Sequence, residues 1–369
     1  MNDRITIFLP TFGMGGIGRM MVNLAGGMAA AGFQVDFIVN RKENLPFFRD
    51  LAAPIRIVEL KLNTPKQIAA GLSAYLRKEK PRIVLSSRMK NGHPVALLSR
   101  DQAGVAARVF LRIPTHMTRR GQNQNIIKRW REKGQIRQSV RRADGIIAVS
   151  KGIAEDISRI SGFPRESIHI LPNPVISDGV YQMAKEPIDH PWFAPGEPPV
   201  ILSAGGFRNQ KDFPTLIRAF AELRKKKEAR LMILGRGRLK DRMLKLASQL
   251  GIENDLCLPG FVDRPYAYMA NADMFVLSSA WEGSPNVLVE AMAVGTPVVS
   301  TDCPSGPREI MRDGELGGLV PVGDQSALAS AMLDTLAAPL PARQLQTGAL
   351  RYTIKTSAAA YLNAFGCLD

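Results

Sequence analysis

Only three cysteines occur in 369 residues, Cys257, Cys303 and Cys367, and no two of them share a C-x-x-C spacing. That argues against a disulfide framework and against a cysteine-built zinc site, and makes a reducing, cytoplasmic compartment the expected setting. No apolar run reaches the ~18 residues that a membrane-spanning helix needs. The opening MNDRITIFLP reads as a short strand and not as a leader with a basic head and a long apolar stretch. Aromatic residues make up 7% of the chain, which leaves few stacking platforms for single-stranded nucleic acid. No acid-rich D-x-D stands out, so neither a metal nor another cofactor is expected.

What is present fits a globular protein of two domains: 45% hydrophobic and 22% charged residues, over a length too great for one ordinary core. The formal net charge is +16, and all of it arises in the first half. Residues 1–180 hold 29 Lys and Arg against 13 Asp and Glu, whereas 181–369 hold 20 of each. Within 112–142, Arg112, Arg119, Arg120, Lys128, Arg129, Arg131, Lys133, Arg137, Arg141 and Arg142 face one acid, Glu132. Such a band attracts phosphate, nucleic acid or an anionic lipid surface, although a charge run is also what a solvated face looks like.

Short apolar runs alternate with helical spacing. Ile5–Leu9, Phe33–Val39, Ile55–Leu60, Ile83–Ser86, Ala107–Ile113 and Gly145–Val149 read as strands, with helices expected over Arg19–Ala31 and Lys66–Lys80. Tyr181–Pro199 carries five prolines and no periodicity, as a linker would. The alternation resumes at Val200–Ala204. The expected division is therefore a first domain at 1–180, a linker at 181–199, a second domain at 200–350, and a C-terminal helix at 351–369 packing back on the first domain. Alternation of this kind implies a parallel sheet in each domain, with ligands at the interdomain cleft.

Gly13, Gly15 and Gly18 match G-x-G-x-x-G after a strand, and Asp36 follows Gly15 by 21 residues. This spacing fits a dinucleotide-dependent oxidoreductase, but Asp36 sits inside its strand instead of closing it, and a tight strand-to-helix turn fits equally. In the second half, Gly205-Gly206-Phe207-Arg208-Asn209-Gln210-Lys211-Asp212 sets cations and backbone N–H groups at a helix start, as a diphosphate requires. Glu282 lies in a loop before a helix, Pro285 is expected at the first helical position, and Glu290 falls further along the same helix. Gly295-Thr296-Pro297-Val298-Val299 then leads into a strand.

The run Glu282–Glu309, with seven residues between Glu282 and Glu290 followed by EAMAVGTPVVSTDCPSGPREI, resembles the family 4 retaining glycosyltransferases. Ile147–Ala154 and Leu171–Val175 are similar to further family segments. The resemblance covers nearly the whole chain. It implies an α/β protein of two Rossmann-like domains facing each other across a cleft, the GT-B fold. It also implies a metal-independent hexosyltransferase that takes a nucleoside-diphosphate sugar. Carried over position by position, Glu282 contacts the transferred sugar, Glu290 holds the ribose hydroxyls, and Lys211 neutralises the diphosphate. Gly283, Ser284, Pro285, Asn286 and Val287 cradle sugar and phosphate, and Gly15, Gly16 and Gly206 approach the donor. The family arginine five residues before the lysine is replaced by Gly206, with Arg208 two residues on as its substitute. The family's first-domain histidine is represented by His116, with His93 as a second candidate. The implied acceptor is an anionic lipid-linked or cell-surface glycan, as in lipopolysaccharide or polysaccharide biosynthesis. The basic band 112–142 would hold the enzyme peripherally on the inner face of the membrane. A nucleic-acid-binding protein remains the alternative that the basic charge alone suggests, although no nucleic-acid module is visible.

Overall fold

The computed structural model describes residues 3–10, 16–41, 55–87, 92–122 and 125–368. The chain divides into two compact units: Met1–Val175 with Tyr352–Asp369, and Ile176–Arg351. In the first unit β1 (Arg4–Phe8), β2 (Gln34–Val39), β3 (Ile55–Glu59), β4 (Ile83–Ser86), β5 (Arg108–Ile113), β6 (Gly145–Ala148) and β7 (Ile168–Ile170) form one sheet in the order β3-β2-β1-β4-β5-β6-β7. Every pairing is parallel. Between the strands run α1 (Gly16–Ala30), α2 (Pro65–Glu79), α3 (His93–Ala103), α4 (Met117–Arg120), α5 (Ile126–Arg142) and α6 (Lys151–Ser161). Thr64 and Gln67 close a capping box at the start of α2, and Lys80 ends it in the left-handed conformation.

Two readings of the glycine segment are corrected. Helix α1 begins at Gly16, so Gly18 is a buried helical residue and not part of a loop. Gly13 and Gly15 lie outside the described residues. Asp36 stands in the middle of β2, opposite Thr6 and Arg56, and is 1% exposed. Arg4, Arg56 and the Tyr75 hydroxyl all donate to its carboxylate. Burial pushes that carboxyl up, but the contacts with Arg56, Tyr75 and Arg4 more than offset it and leave it below its usual value. A carboxylate so committed cannot serve as the ribose acid of a dinucleotide site.

The second unit contains α7 (Gly179–Met183), β8 (Val200–Ala204), α8 (Phe213–Arg224), β9 (Arg230–Leu234), α9 (Lys240–Gln249), β10 (Leu256–Gly260), α10 (Tyr266–Asn271) and β11 (Met274–Leu277). It continues with α11 (Asn286–Ala293), β12 (Val298–Thr301), α12 (Pro307–Ile310), β13 (Gly318–Val320), α13 (Gln325–Ala337) and α14 (Ala342–Ala349). Its sheet is also wholly parallel, in the order β10-β9-β8-β11-β12-β13. The core gathers Ile201, Phe207, Phe213, Phe220, Ile233 and Val276 with their neighbours. The strands are apolar runs and not alternating ones, as expected when both faces of a parallel sheet are covered. Each sheet reverses its winding once, between β1 and β4 and between β8 and β11, and ligands of such sheets bind where the strand order reverses.

Residues 181–199 belong to the second unit, where they include part of α7 and a single turn at Pro191–Phe193. The chain then returns to the first unit as α15 (Ile354–Ala364), which packs on α1. Gly27 allows that approach, since a Cβ there would lie 2.7 Å from the Ala358 Cβ. Val175 N–H donates to the Tyr352 carbonyl, and Asn23 Nδ2 donates to the Pro174 carbonyl, so the departing and returning segments are tied together and to α1.

Candidate functional site

The loops that follow β8 and β11 flank the switch point of the second sheet, and they are sewn together. Lys211 Nζ donates to Glu282 Oε1 at 2.8 Å, and Ser279 Oγ donates to the same oxygen at 2.8 Å. Gln210 Nε2 donates to the Trp281 carbonyl at 3.0 Å and to Glu282 Oε2 at 3.3 Å. The Ala280 N–H donates to the Gln210 carbonyl, and Ser278 Oγ donates to the Lys211 carbonyl. Lys211 and Glu282 were legible in the sequence. Gln210 stood in the 205–212 run without a role of its own, and Ser279 was not singled out; both are neutral residues that orient the pair.

At two glycines of this loop the side chains of Lys211 and Arg208 occupy the space that a Cβ would take. A Cβ at Gly205 would lie 2.8 Å from Lys211 Cε, so the lysine stem runs against bare backbone. A Cβ at Gly206 would lie 3.2 Å from Arg208 Nε. The exposed Arg208 thus folds back over position 206, into space that a side chain there would claim. Among the described residues no carboxylate lies within ion-pair distance of its guanidinium. Gly306, at φ +100°, sits against the Gly283 carbonyl and Pro285 Cδ and lets the loop after β12 close on the loop before α11.

Pro285 stands one position before α11, not at its first residue, and Asn286 opens the helix. Gly283 and Pro285 are buried, while Ser284, Asn286 and Val287 are half-buried. Glu290 is the fifth residue of α11 and is 3% exposed; Glu282 is 7% exposed. Two acids held this deep, one before α11 and one within it, with the positive end of the helix dipole between them, suit a polar ligand with an anionic centre. Cys303 is buried nearby, its thiol pushed up by burial and by the Glu282 charge.

In the first unit, His116 stands at the N-terminus of α4 and is 7% exposed. Its Nδ1 lies 3.1 Å from Asp156 Oδ2. Asp156, wholly buried, also accepts from the Met117 and Thr118 N–H groups and from Thr118 Oγ1. Burial pushes the Asp156 carboxyl up, and His116 and Thr118 more than reverse the effect. His93 opens α3 and is fully buried, beside the backbone of Ser86 and Arg112 but with neither ring nitrogen in a good hydrogen bond. Burial pushes its imidazole down to about 4, so it is neutral.

The basic band is also corrected. Arg112 is 1% exposed and belongs to the interior, where Nε donates to Tyr361 Oη at 2.9 Å, one terminal nitrogen to Ser87 Oγ at 3.0 Å and the other to Asn173 Oδ1 at 2.5 Å. Arg142 pairs with Asp101, and Arg137 Nε donates to the Ile160 carbonyl. Arg119, Arg120, Lys128, Arg131, Lys133 and Arg141 remain as exposed cations.

Two family models match in succession: a glycosyl transferase 4-like domain over residues 15–174 and glycosyl transferases group 1 over residues 184–350. The chain is 37% identical over 187 residues to the Campylobacter jejuni N-acetylgalactosamine-N,N'-diacetylbacillosaminyl-diphospho-undecaprenol 4-alpha-N-acetylgalactosaminyltransferase, covering 51% of this chain and 49% of that protein. It is 38% identical over 192 residues to the Rhizobium meliloti lipopolysaccharide core biosynthesis glycosyltransferase LpsE, covering 52% and 54%. The match thus spans about half the length of these curated relatives. Among solved structures, the Anabaena protein HepE in complex with UDP and glucose superposes with a TM-score of 0.79 at 17% identity, covering 99% of this chain and 100% of that one. The apo lipopolysaccharide outer core galactosyltransferase WaaB gives a TM-score of 0.76 at 21% identity, covering 99% of each chain. At such identities the superpositions establish the fold, two Rossmann-like domains of the GT-B kind. With both family models matched in order on two such sheets, the chain belongs to the group 1, or family 4, glycosyltransferases.

Proposed function

We propose that the protein is a retaining, metal-independent glycosyltransferase that moves a sugar from a nucleoside-diphosphate sugar to an anionic lipid-linked or cell-surface glycan. The observation that carries this reading is the Lys211–Glu282 pair at the switch point of the second sheet, backed by Gly205, Gly206 and the start of α11. As the bond between the sugar C1 and the diphosphate breaks, negative charge grows on the leaving phosphate. Lys211 and Arg208 stabilise it, together with the backbone N–H groups of Gly283, Ser284 and the start of α11. Those cations supply the neutralisation that a metal would otherwise provide. Glu282, released by Lys211, turns to the hydroxyls of the transferred sugar, and Glu290 takes the ribose.

No side chain stands out as a nucleophile for double displacement, so attack by the acceptor hydroxyl on the face of the leaving group is the favoured route to retention. In the first unit the resemblance points to His116, whose Nδ1 lies against Asp156 Oδ2, which leaves Nε2 for a ligand. The acceptor class draws support from the Campylobacter relative, named for a diphospho-undecaprenol-linked saccharide, and from the Rhizobium relative, named for lipopolysaccharide core biosynthesis.

A thermal-shift screen of UDP, GDP, ADP, their sugar conjugates and NAD, with and without EDTA, tests the donor class. The expected result is stabilisation by one nucleoside diphosphate, unaffected by EDTA and weakened at least about tenfold in apparent affinity by Glu290→Ala. Stabilisation by NAD alone would overturn the reading. NMR of the first-formed product tests retention, since an inverted anomeric configuration is incompatible with it.

A further inference from the structure

Helix α5 carries apolar side chains on two sides. Ile136 and Val140, with Ser139, are buried against the first unit. At its other end Ile126, Ile127 and Trp130 are 80%, 63% and 78% exposed. No other large apolar side chain among the described residues exceeds the 52% of Leu350. At 3.6 residues per turn, Ile126, Ile127 and Trp130 fall within an arc of about 100°, centred about 140° around the helix from the buried side. They are not a frayed end: Asn125 caps the helix, its Oδ1 accepting from the Lys128 N–H at 2.8 Å. On α5, Arg131 and Lys133 are exposed just beyond the two edges of that arc and Lys128 further round, with Glu132 the one acid of the helix, while Arg119 and Arg120 are exposed on α4.

We infer that the first turns of α5 form a wedge that inserts into an anionic lipid surface. Ile126, Ile127 and Trp130 enter the boundary between headgroups and acyl chains, and the surrounding cations hold the headgroup phosphates. An apolar arc flanked by cations, with an indole in it, suits the bilayer interface, where Trp is favoured and where apolar burial and charge attraction add. A phosphodiester backbone would use the cations but leave two isoleucines in water, so nucleic acid is the weaker match. This surface lies outside the donor site, and its test does not depend on the donor reading.

The test is co-sedimentation of the full chain with phosphatidylcholine vesicles, with and without roughly a quarter phosphatidylglycerol. Binding is expected on the anionic vesicles and to fall with added salt. Ile126→Ser, Ile127→Ser and Trp130→Ser combined should weaken it about tenfold or more, as should Lys128→Glu, Arg131→Glu and Lys133→Glu combined. These positions are exposed, so both variants should unfold at the wild-type temperature. Trp130→Phe separates insertion from adhesion: it should keep vesicle binding but lose the blue shift of tryptophan emission that wild type shows on vesicles. Binding weakened by the charge variant but untouched by the serine variant would overturn insertion. So would the absence of a blue shift, or salt-sensitive binding to duplex DNA with none to vesicles. Nucleotide-induced stabilisation, read on the same variants without lipid, reports on the donor site separately, so either idea can fail alone.

Discussion

At the switch point of the second sheet, a half-buried lysine and a buried glutamate from the loops after two strands form an ion pair. Beside the switch point of the first sheet, the cation is Arg112, buried, and among the described residues no carboxylate pairs with it. Three neutral oxygens surround it instead, from Tyr361 of α15, Ser87 after β4 and Asn173 near the departing segment, and a neutral His93 lies next to its backbone. The same winding therefore serves two ends. A charged pair with Lys211 half-buried can exchange its partner for a ligand's charge, and is suited to a ligand. A buried guanidinium held by dipoles is expensive to expose, and this one joins β5 to both segments through which the chain leaves and re-enters the first unit. One arrangement is built to change and the other to stay.

That contrast can be broken by substitution. Arg112→Ala removes a large buried side chain and strands three hydrogen-bonding groups, so it should destabilise the protein by about 4 kcal/mol, read by denaturant titration. A loss under about 1 kcal/mol would mean that the anchor is not one. Lys211→Ala should do the reverse: roughly 10²–10³-fold loss of transfer rate, comparable to removing one oxyanion donor, with little change in the unfolding midpoint. If Lys211→Ala instead unfolds the protein while leaving the rate of the folded fraction intact, the pair is structural and the two switch points are alike.

The sheets were the most legible part of the sequence, because buried parallel strands appear as unbroken apolar runs such as Val200–Ala204 and Met274–Leu277. The three-residue edge strands β7 and β13 were not, being too short to show any period. The start of α1 was misread because three glycines look like a loop. Gly18, Met21, Ala25 and Met28 nevertheless share one buried helical face, and that face carries the helix back to Gly16. At the site, charge made Lys211, Glu282 and Glu290 conspicuous, whereas Gln210 and Ser279 act through placement alone. A count of charges also cannot tell an inward arginine from an outward one, and so Arg112 was grouped with the band that α5 displays.

His93 sharpens the comparison at the smallest scale, through pH. Its folded-state pKa of about 4 lies below the ~6.5 of an unfolded histidine. Between those values the unfolded chain binds a proton that the folded chain refuses. The stability that comes with the neutral imidazole is therefore complete above about pH 6.5 and is lost as pH falls toward 4. The full drop amounts to roughly 3 kcal/mol. His93→Leu deletes two ring nitrogens that lack good partners, so near pH 7.5 the variant should match wild type to within about 1 kcal/mol. Subtracting its stability from that of wild type at each pH cancels the other titrating groups. The difference should be flat above pH 7, fall by up to about 1.4 kcal/mol per unit through the window, and level off below 4. A flat difference throughout would show that His93 is protonated or solvated in the folded protein. The interior of the first switch point would then be open to water, and the distinction from the second would shrink to the matter of which cation is paired.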